Sequence, residues 1–189
     1  MTARSPKAQA ARRRLPGDPP RGREIAAMIR VDHAGEHGAK RIYDGQLLIL
    51  GRSAEAPAIR RMAAQEREHL RVFDRLIAER GVRPTLLAPL WHVAGFAMGA
   101  LTALIGPKAA MACTEAVERV IDEHYADQLA RLGAEEPALA RTIARFRDDE
   151  IEHRDIAVEH GAKDAPGYRA LSAAISGATK FAIRLSTKI

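Results

Sequence analysis

The chain has 189 residues, of which 47% are hydrophobic and only 4% aromatic, with a net charge of +6 and one cysteine. This length and apolar fraction fit one domain with a single core better than two domains. The lone Cys113 excludes an internal disulfide and every all-cysteine metal site, so only carboxylates and histidines could hold a metal. The basic excess suits an anionic surface, either phospholipid or nucleic acid.

Residues 1–23 contain seven Lys or Arg, one Asp and four prolines, with almost no large apolar side chain. Such a segment cannot bury itself, so the composition predicts a disordered basic tail. The remaining residues, 24–189, are predicted to form a single domain. Alanine is abundant there and is the best helix former, which favours an all-α protein.

Four long helices are predicted over residues 24–50, 57–80, 108–132 and 137–160, because apolar side chains recur there at steps of three and four. The core-facing stripes also contain acids and histidines. The first and third predicted helices carry a single Glu each, and the second and fourth carry Glu-x-x-His; these residues are Glu36, Glu66 with His69, Glu118, and Glu150 with His153.

Residues 85–107 contain no Lys, Arg, Asp or Glu. The segment is long enough to span a bilayer, but Pro89, Gly95, Gly99 and Gly106 interrupt it. It could be a buried connection, a span or a hairpin that dips into one leaflet, and the basic surroundings favour the hairpin. Residues 165–189 are predicted to form one or two short amphipathic helices, beside this connection or on a membrane.

The two halves of the predicted bundle repeat one pattern, a helix with one Glu followed by a helix with Glu-x-x-His. Two such hairpins would direct four carboxylates and two imidazoles at one point, which is the ligand set of ferritin-like di-iron and di-manganese proteins. Each motif alone is commoner on a solvated helix face. Together they predict a dinuclear site, since burying them without metal would cost several kcal/mol per unpaired charge. Asp149 and Asp32 are the expected partners of the outer imidazole nitrogens.

Three segments resemble the demethoxyubiquinone hydroxylase family, di-iron monooxygenases of ubiquinone biosynthesis: IRVDHAGEHGAKRIYDGQL (29–47), RPTLLAPLWHVAGFAMGALTALIGPKAAMACTEAVE (83–118) and FRDDEIEHRDIAVEHGA (146–162). The resemblance implies iron ligation by Glu36, Glu66, His69, Glu118, Glu150 and His153. It also implies a role for the pair His124 and Tyr125 in substrate or electron transfer near the metals.

By the same resemblance, two iron ions and dioxygen would hydroxylate the ring of a demethoxyubiquinol, a polyprenylated quinol of the bilayer, with electrons ultimately from NADH. The expected location is the cytoplasmic face of a bacterial inner membrane, or the matrix face of the mitochondrial inner membrane. A lipid-binding protein that presents the quinone and a homo-oligomer are further expected partners, and nucleic acid is not.

Three other functions share parts of this pattern. A ferritin-like iron store has the same ligands, but the long apolar segment argues against its polar shell. A di-iron hydroxylase of tRNA would explain the basic charge without a membrane. A metal-stabilised scaffold on a membrane would need no catalysis.

Overall fold

The computed structural model describes residues 19–189, so that residues 1–18, most of the predicted basic tail, lie outside the described residues. Six helices are formed in this range: α1 Arg21–Leu50, α2 Ala56–Arg80, α3 Ala88–Ile105, α4 Pro107–Leu132, α5 Pro137–Glu159 and α6 Tyr168–Lys188. A short 3-10 turn, Ala162–Asp164, precedes α6, and residues 19–189 contain no strand. The all-α prediction is confirmed.

The first helix begins at Arg21, three residues ahead of its predicted start at Glu24. The guanidinium of Arg21 donates a hydrogen bond of 2.8 Å to the carbonyl oxygen of Leu132, and it pairs with the carboxylates of Glu24 and Glu135. These contacts join the first turn of α1 to the end of α4. A basic residue that composition alone assigned to the tail is therefore part of the bundle.

Helices α1, α2, α4 and α5 form a four-helix bundle of two hairpins, α1 with α2 and α4 with α5, as predicted for a ferritin-like fold. The hairpin loops are short, and each of α2, α4 and α5 has a proline in its first two positions, where a missing N–H costs nothing. Large side chains fill one end of the core, among them Ile29, Phe73, Ile143 and Phe146. Methionine and alanine side chains fill the other end.

The apolar segment forms one continuous helix, so the predicted hairpin is wrong. Pro89 lies in the first turn of α3, and Gly106 lies after its last residue, so that both residues bound the helix. The interruption inferred from these residues is absent, because each occupies a helix end, where proline and glycine are tolerated.

The glycines inside this segment allow α3 to approach α1 closely. A Cβ atom at Gly95 would lie 2.7 Å from the carbonyl oxygen of Gly38, and one at Gly99 would overlap the carbonyl oxygen of Ile42. A Cβ atom at Gly45 of α1 would likewise overlap the carbonyl oxygen of Phe96. The backbones of α1 and α3 therefore contact each other at Gly45, Gly95 and Gly99, where only glycine fits, and we call this contact the seam.

No part of residues 19–189 covers the outer face of α3. Leu90, Val93, Leu101, Leu104 and Ile105 are each more than half exposed, as is Phe181 of α6. Within residues 19–189, α3 is the helix whose length and composition would allow it to cross a membrane. Residues 168–188 form the single helix α6, which packs on α4 and α1 beside α3.

We expect Gly99→Ala to destabilise the protein by about 1–3 kcal/mol, because the new methyl group would push α3 away from α1. Thermal unfolding followed by circular dichroism should show a Tm lower by at least about 3 °C. The control is Gly177→Ala on the exposed face of α6, where a Cβ atom meets nothing within 4 Å. An unchanged Tm in the Gly99 variant would contradict the close seam.

Candidate metal centre

The structure brings all six predicted ligands to one place inside the bundle. Each side chain is at most 3% exposed. Their oxygen and nitrogen atoms form two overlapping groups, each with ligand atoms within 4.8 Å of one another: Glu36, Glu66, His69 and Glu150, and Glu66, Glu118, Glu150 and His153. Glu66 and Glu150 belong to both groups. This is the arrangement that two adjacent metal ions with shared carboxylates would require.

Both imidazoles direct Nδ1 into the cluster. Nδ1 of His69 lies 3.2 Å from Oε1 of Glu150 and 3.3 Å from Oε2 of Glu36. Nδ1 of His153 lies 3.2 Å from Oε2 of Glu150 and 3.2 Å from Oε1 of Glu66. The Glu-x-x-His spacing therefore places a carboxylate and an imidazole nitrogen of one helix at the same point, as predicted.

The outer nitrogens of the imidazoles have partners of their own. Nε2 of His69 lies 3.0 Å from Oδ2 of Asp149, which confirms the predicted contact. Nε2 of His153 lies 3.1 Å from Oε1 of Gln65, a residue that the spacing did not indicate. The prediction that Asp32 would hold the second of these imidazoles is wrong, because Asp32 contacts His124 instead. Both partners keep Nδ1 directed at the cluster.

Two buried tyrosines brace the carboxylates across the halves of the bundle. The hydroxyl of Tyr43 donates a hydrogen bond of 2.6 Å to Oε1 of Glu118, and the hydroxyl of Tyr125 donates one to Oε1 of Glu36. Burial and the neighbouring carboxylates raise the pKa of both phenols well above the usual value. Tyr43 was not among the predicted site residues, although each tyrosine follows the Glu of its own helix by seven positions.

The cluster retains protons when no metal is bound. Burial and the negative charge of Glu150 raise the pKa of Glu66 and Glu118 well above the usual value. Burial acts in the opposite direction on the imidazoles, but hydrogen bonds to the carboxylates outweigh it and raise the pKa of His69 to about 12 and of His153 to about 11. Burial likewise raises the pKa of Glu150, yet bonds from both imidazoles lower it to about 2.

The chemistry of the cluster fits divalent metal ions. Several of its buried atoms make no hydrogen bond of good geometry within residues 19–189, namely both carboxylate oxygens of Glu66, Oε2 of Glu118, Oε1 of Glu150 and Nδ1 of His69. Poorly satisfied buried polar atoms are costly and rare in native proteins, whereas two adjacent cations would bind them. A donor set of carboxylate oxygens with two imidazoles suits iron or manganese better than softer metals.

A cavity of about 210 Å³ lies beside the cluster, between α1, α3, α4 and α6. Most of its wall is apolar and includes Trp91, Met98 and Phe181. Its polar wall is formed by Glu36 and Tyr125 together with the predicted site residue His124 and its partner Asp32. The cavity therefore lies between the carboxylate cluster and the helices α3 and α6, which carry the exposed apolar side chains.

The fold and this cluster define a ferritin-like helical bundle with a buried carboxylate–histidine centre. Residues 23–186 match the family model described as "Ubiquinone biosynthesis protein COQ7". The chain belongs to this family of ubiquinone biosynthesis hydroxylases.

Relatives from three organisms agree with this assignment. The chain is 57% identical over 177 residues to the 3-demethoxyubiquinol 3-hydroxylase of Rhodospirillum rubrum, covering 93% of this chain and 84% of the relative. It is 49% identical over 169 residues to the mitochondrial NADPH-dependent 3-demethoxyubiquinone 3-hydroxylase of Homo sapiens, covering 87% and 78%. It is 43% identical over 179 residues to the mitochondrial 5-demethoxyubiquinone hydroxylase of Saccharomyces cerevisiae, covering 86% and 77%. The human protein's name specifies NADPH, whereas the resemblance led us to expect NADH.

Metal binding should release protons, because the imidazolium and carboxylic acid protons occupy the positions that a cation would take. We expect at least two protons per chain when ferrous iron is added anaerobically near neutral pH, because the raised pKa values keep His69 and His153 charged and favour the protonated forms of Glu66 and Glu118. Apparent affinity should therefore rise with pH. An indicator dye in weak buffer measures the release, and binding without proton release would contradict the protonated centre.

Proposed function

We propose that the protein is a membrane-associated di-iron monooxygenase that hydroxylates the ring of a demethoxyubiquinol with dioxygen. The observation that carries this proposal is the buried carboxylate–histidine cluster next to an apolar cavity. Support comes from the relatives, which are named for hydroxylation of the same class of quinone. These names favour a quinone substrate over the tRNA and iron-storage alternatives, and over a scaffold without catalysis.

In this proposal each of the two overlapping groups of residues would hold one iron ion, and Glu66 and Glu150 belong to both groups. Iron bound there would supply the redox chemistry with dioxygen, of which one oxygen atom enters the ring and the other leaves as water, with two electrons from NADPH or NADH and two protons. Asp149 and Gln65 keep the imidazoles oriented, and Tyr43 and Tyr125 hold Glu118 and Glu36.

The ring would bind in the cavity, because most of its wall is apolar and Glu36, Asp32, His124 and Tyr125 contribute polar groups to it. The apolar wall excludes water from the reacting ring, and the polar groups offer hydrogen bonds to its oxygens. His124 and Tyr125 are therefore the residues that we assign to the substrate. The prenyl tail would leave between α3 and α6, both of which contribute to the wall.

The exposed side chains of α3 and Phe181 of α6 provide the membrane contact in this proposal. The exposed cationic residues Arg184 and Lys188 also lie on α6 and suit anionic phospholipid. The surface would dock into one leaflet of the bacterial inner membrane from the cytoplasmic side, or of the mitochondrial inner membrane from the matrix side. A lipid-binding protein that presents the quinone, or a second copy of the chain, would meet the enzyme at this surface.

The metal assignment is tested by two substitutions on α5. Anaerobic reconstitution of the unmodified protein should give two irons per chain and oxygen consumption that depends on a demethoxyquinol. Glu150→Gln should lower both the iron content and the rate, the rate by about 100-fold or more, because a shared carboxylate is lost. Glu152→Gln, on the same helix but half exposed and paired with Arg61, should change neither.

Full iron loading and full activity in the Glu150 variant would contradict the assignment. Two irons without substrate-dependent oxygen consumption would retain the metal centre but reject the quinol as substrate. Salt-sensitive binding of RNA would instead support the tRNA alternative.

Membrane docking is tested by adding charge to α3. Leu101→Glu with Leu104→Glu should abolish flotation with anionic liposomes, because both side chains are more than 60% exposed on the proposed contact surface. Ala64→Glu with Ala78→Glu adds the same charge to exposed positions of α2 and should leave flotation intact. Equal loss in both double variants would show that binding depends on net charge and not on α3.

A further inference from the structure

A buried polar network stands behind His124 at the cavity wall. Oδ1 of Asp32, on α1, lies 3.2 Å from Nε2 of His124 and accepts a hydrogen bond of 2.6 Å from the amide nitrogen of Gln128. The same amide nitrogen lies 2.9 Å from Nε2 of His124. Asp32 and Gln128 are at most 2% exposed, whereas the His124 side chain is 21% exposed and lines the cavity.

The contact with Asp32 assigns the imidazole proton to one nitrogen. An ionised carboxylate oxygen only accepts hydrogen bonds, so Oδ1 of Asp32 would accept one from Nε2 of His124 as well as one from the Gln128 amide, and the two nitrogens, 2.9 Å apart, would share that acceptor. In a neutral ring the other nitrogen, Nδ1, then presents a lone pair. Within residues 19–189 no hydrogen bond reaches Nδ1 of His124, and His124 lines the cavity.

We propose that Asp32 is a positioning residue, which fixes His124 with Nδ1 as an acceptor and thereby selects a ring that carries a hydroxyl group. The inference rests on the proposed function, and it specifies the form of the substrate that the cavity binds. The quinol has ring hydroxyls that can donate a hydrogen bond to Nδ1. The quinone has only carbonyl oxygens, which cannot donate and would be repelled by the lone pair of Nδ1. Asp32 acts through His124 and need not touch the substrate itself.

Gln128 makes this proposal sharply testable. Its amide nitrogen is already within hydrogen-bond distance of Nε2 of His124. Without the Asp32 carboxylate, that N–H becomes the remaining partner of Nε2, and the imidazole proton moves to Nδ1. The imidazole of His124 then presents an N–H donor to the cavity in place of an acceptor. Loss of the Asp32 carboxylate therefore removes the preference for a substrate with a hydroxyl group.

Binding can be measured without turnover, because Trp91 is the single tryptophan of the chain and lines the cavity. Its fluorescence is followed in the iron-loaded protein under anaerobic conditions. One ligand is a methoxyphenol with a geranyl chain, and the other is the same compound with the phenol methylated. We expect the unmodified protein to bind the phenol roughly 5- to 10-fold more tightly, as one hydrogen bond provides.

Four variants separate positioning from packing. Asp32→Ala should reduce the phenol-to-ether ratio to about one, and Asp32→Leu, which retains the branching at Cγ without a hydrogen-bond acceptor, should do the same if the alanine variant does not fold. Asp32→Ala combined with Gln128→Glu returns a carboxylate to Nε2 and should restore the preference. Gln128→Ala alone should keep it, because Asp32 remains.

Equal loss of affinity for both ligands in the Asp32 variants would overturn the inference, since that is the effect of a merely structural residue. An equal affinity of the unmodified protein for phenol and ether would also overturn it, while leaving the proposed function intact. No fluorescence change with either ligand would instead count against a ring-binding cavity, and so against the proposed function itself.

Discussion

The structure depends on the burial of four carboxylates and two imidazoles in one core. Water does not reach these groups, so their charges must be balanced inside the protein. Protons provide the balance in the metal-free state, which is why burial and mutual repulsion raise the pKa of Glu66 and Glu118 while the carboxylates raise that of both histidines. Two divalent cations would balance the same charges and bind the unpaired oxygens, and they would take the place of the protons.

Neither hairpin of the bundle completes the centre alone. Each supplies one Glu and one Glu-x-x-His, and each also supplies a tyrosine whose hydroxyl bonds the Glu of the other half: Tyr43 holds Glu118, and Tyr125 holds Glu36. Because these two hydrogen bonds run between the halves, the positions of Glu118 and Glu36 depend on how α1 packs against α4. The site is therefore complete only when the two halves are packed together.

The six residues that cluster, and their positions on the helices, could be predicted from the sequence, because spacing on a helix determines which side chains share a face. Of the contacts between helices, that of His69 with Asp149 was predicted, but others could not be predicted in this way. The hydrogen bond from His153 to Gln65, and that from His124 to Asp32, depend on how neighbouring helices are rotated. The glycines of α3 were misread for the same reason: Gly95 and Gly99 resemble helix breakers in a single sequence, yet they lie against the backbone of α1.

In the proposed function, close packing of α3 on α1 would make the quinone site both buried and reachable from a membrane. One side of α1 carries Asp32, Glu36 and Tyr43 toward the core, and another carries Gly38 and Gly45 at the seam with α3. Because the seam brings the apolar helix to backbone contact, only α3 and α1 separate the exposed surface from the carboxylate cluster. A ring held in the cavity would then lie beside this cluster while its tail remains among apolar side chains.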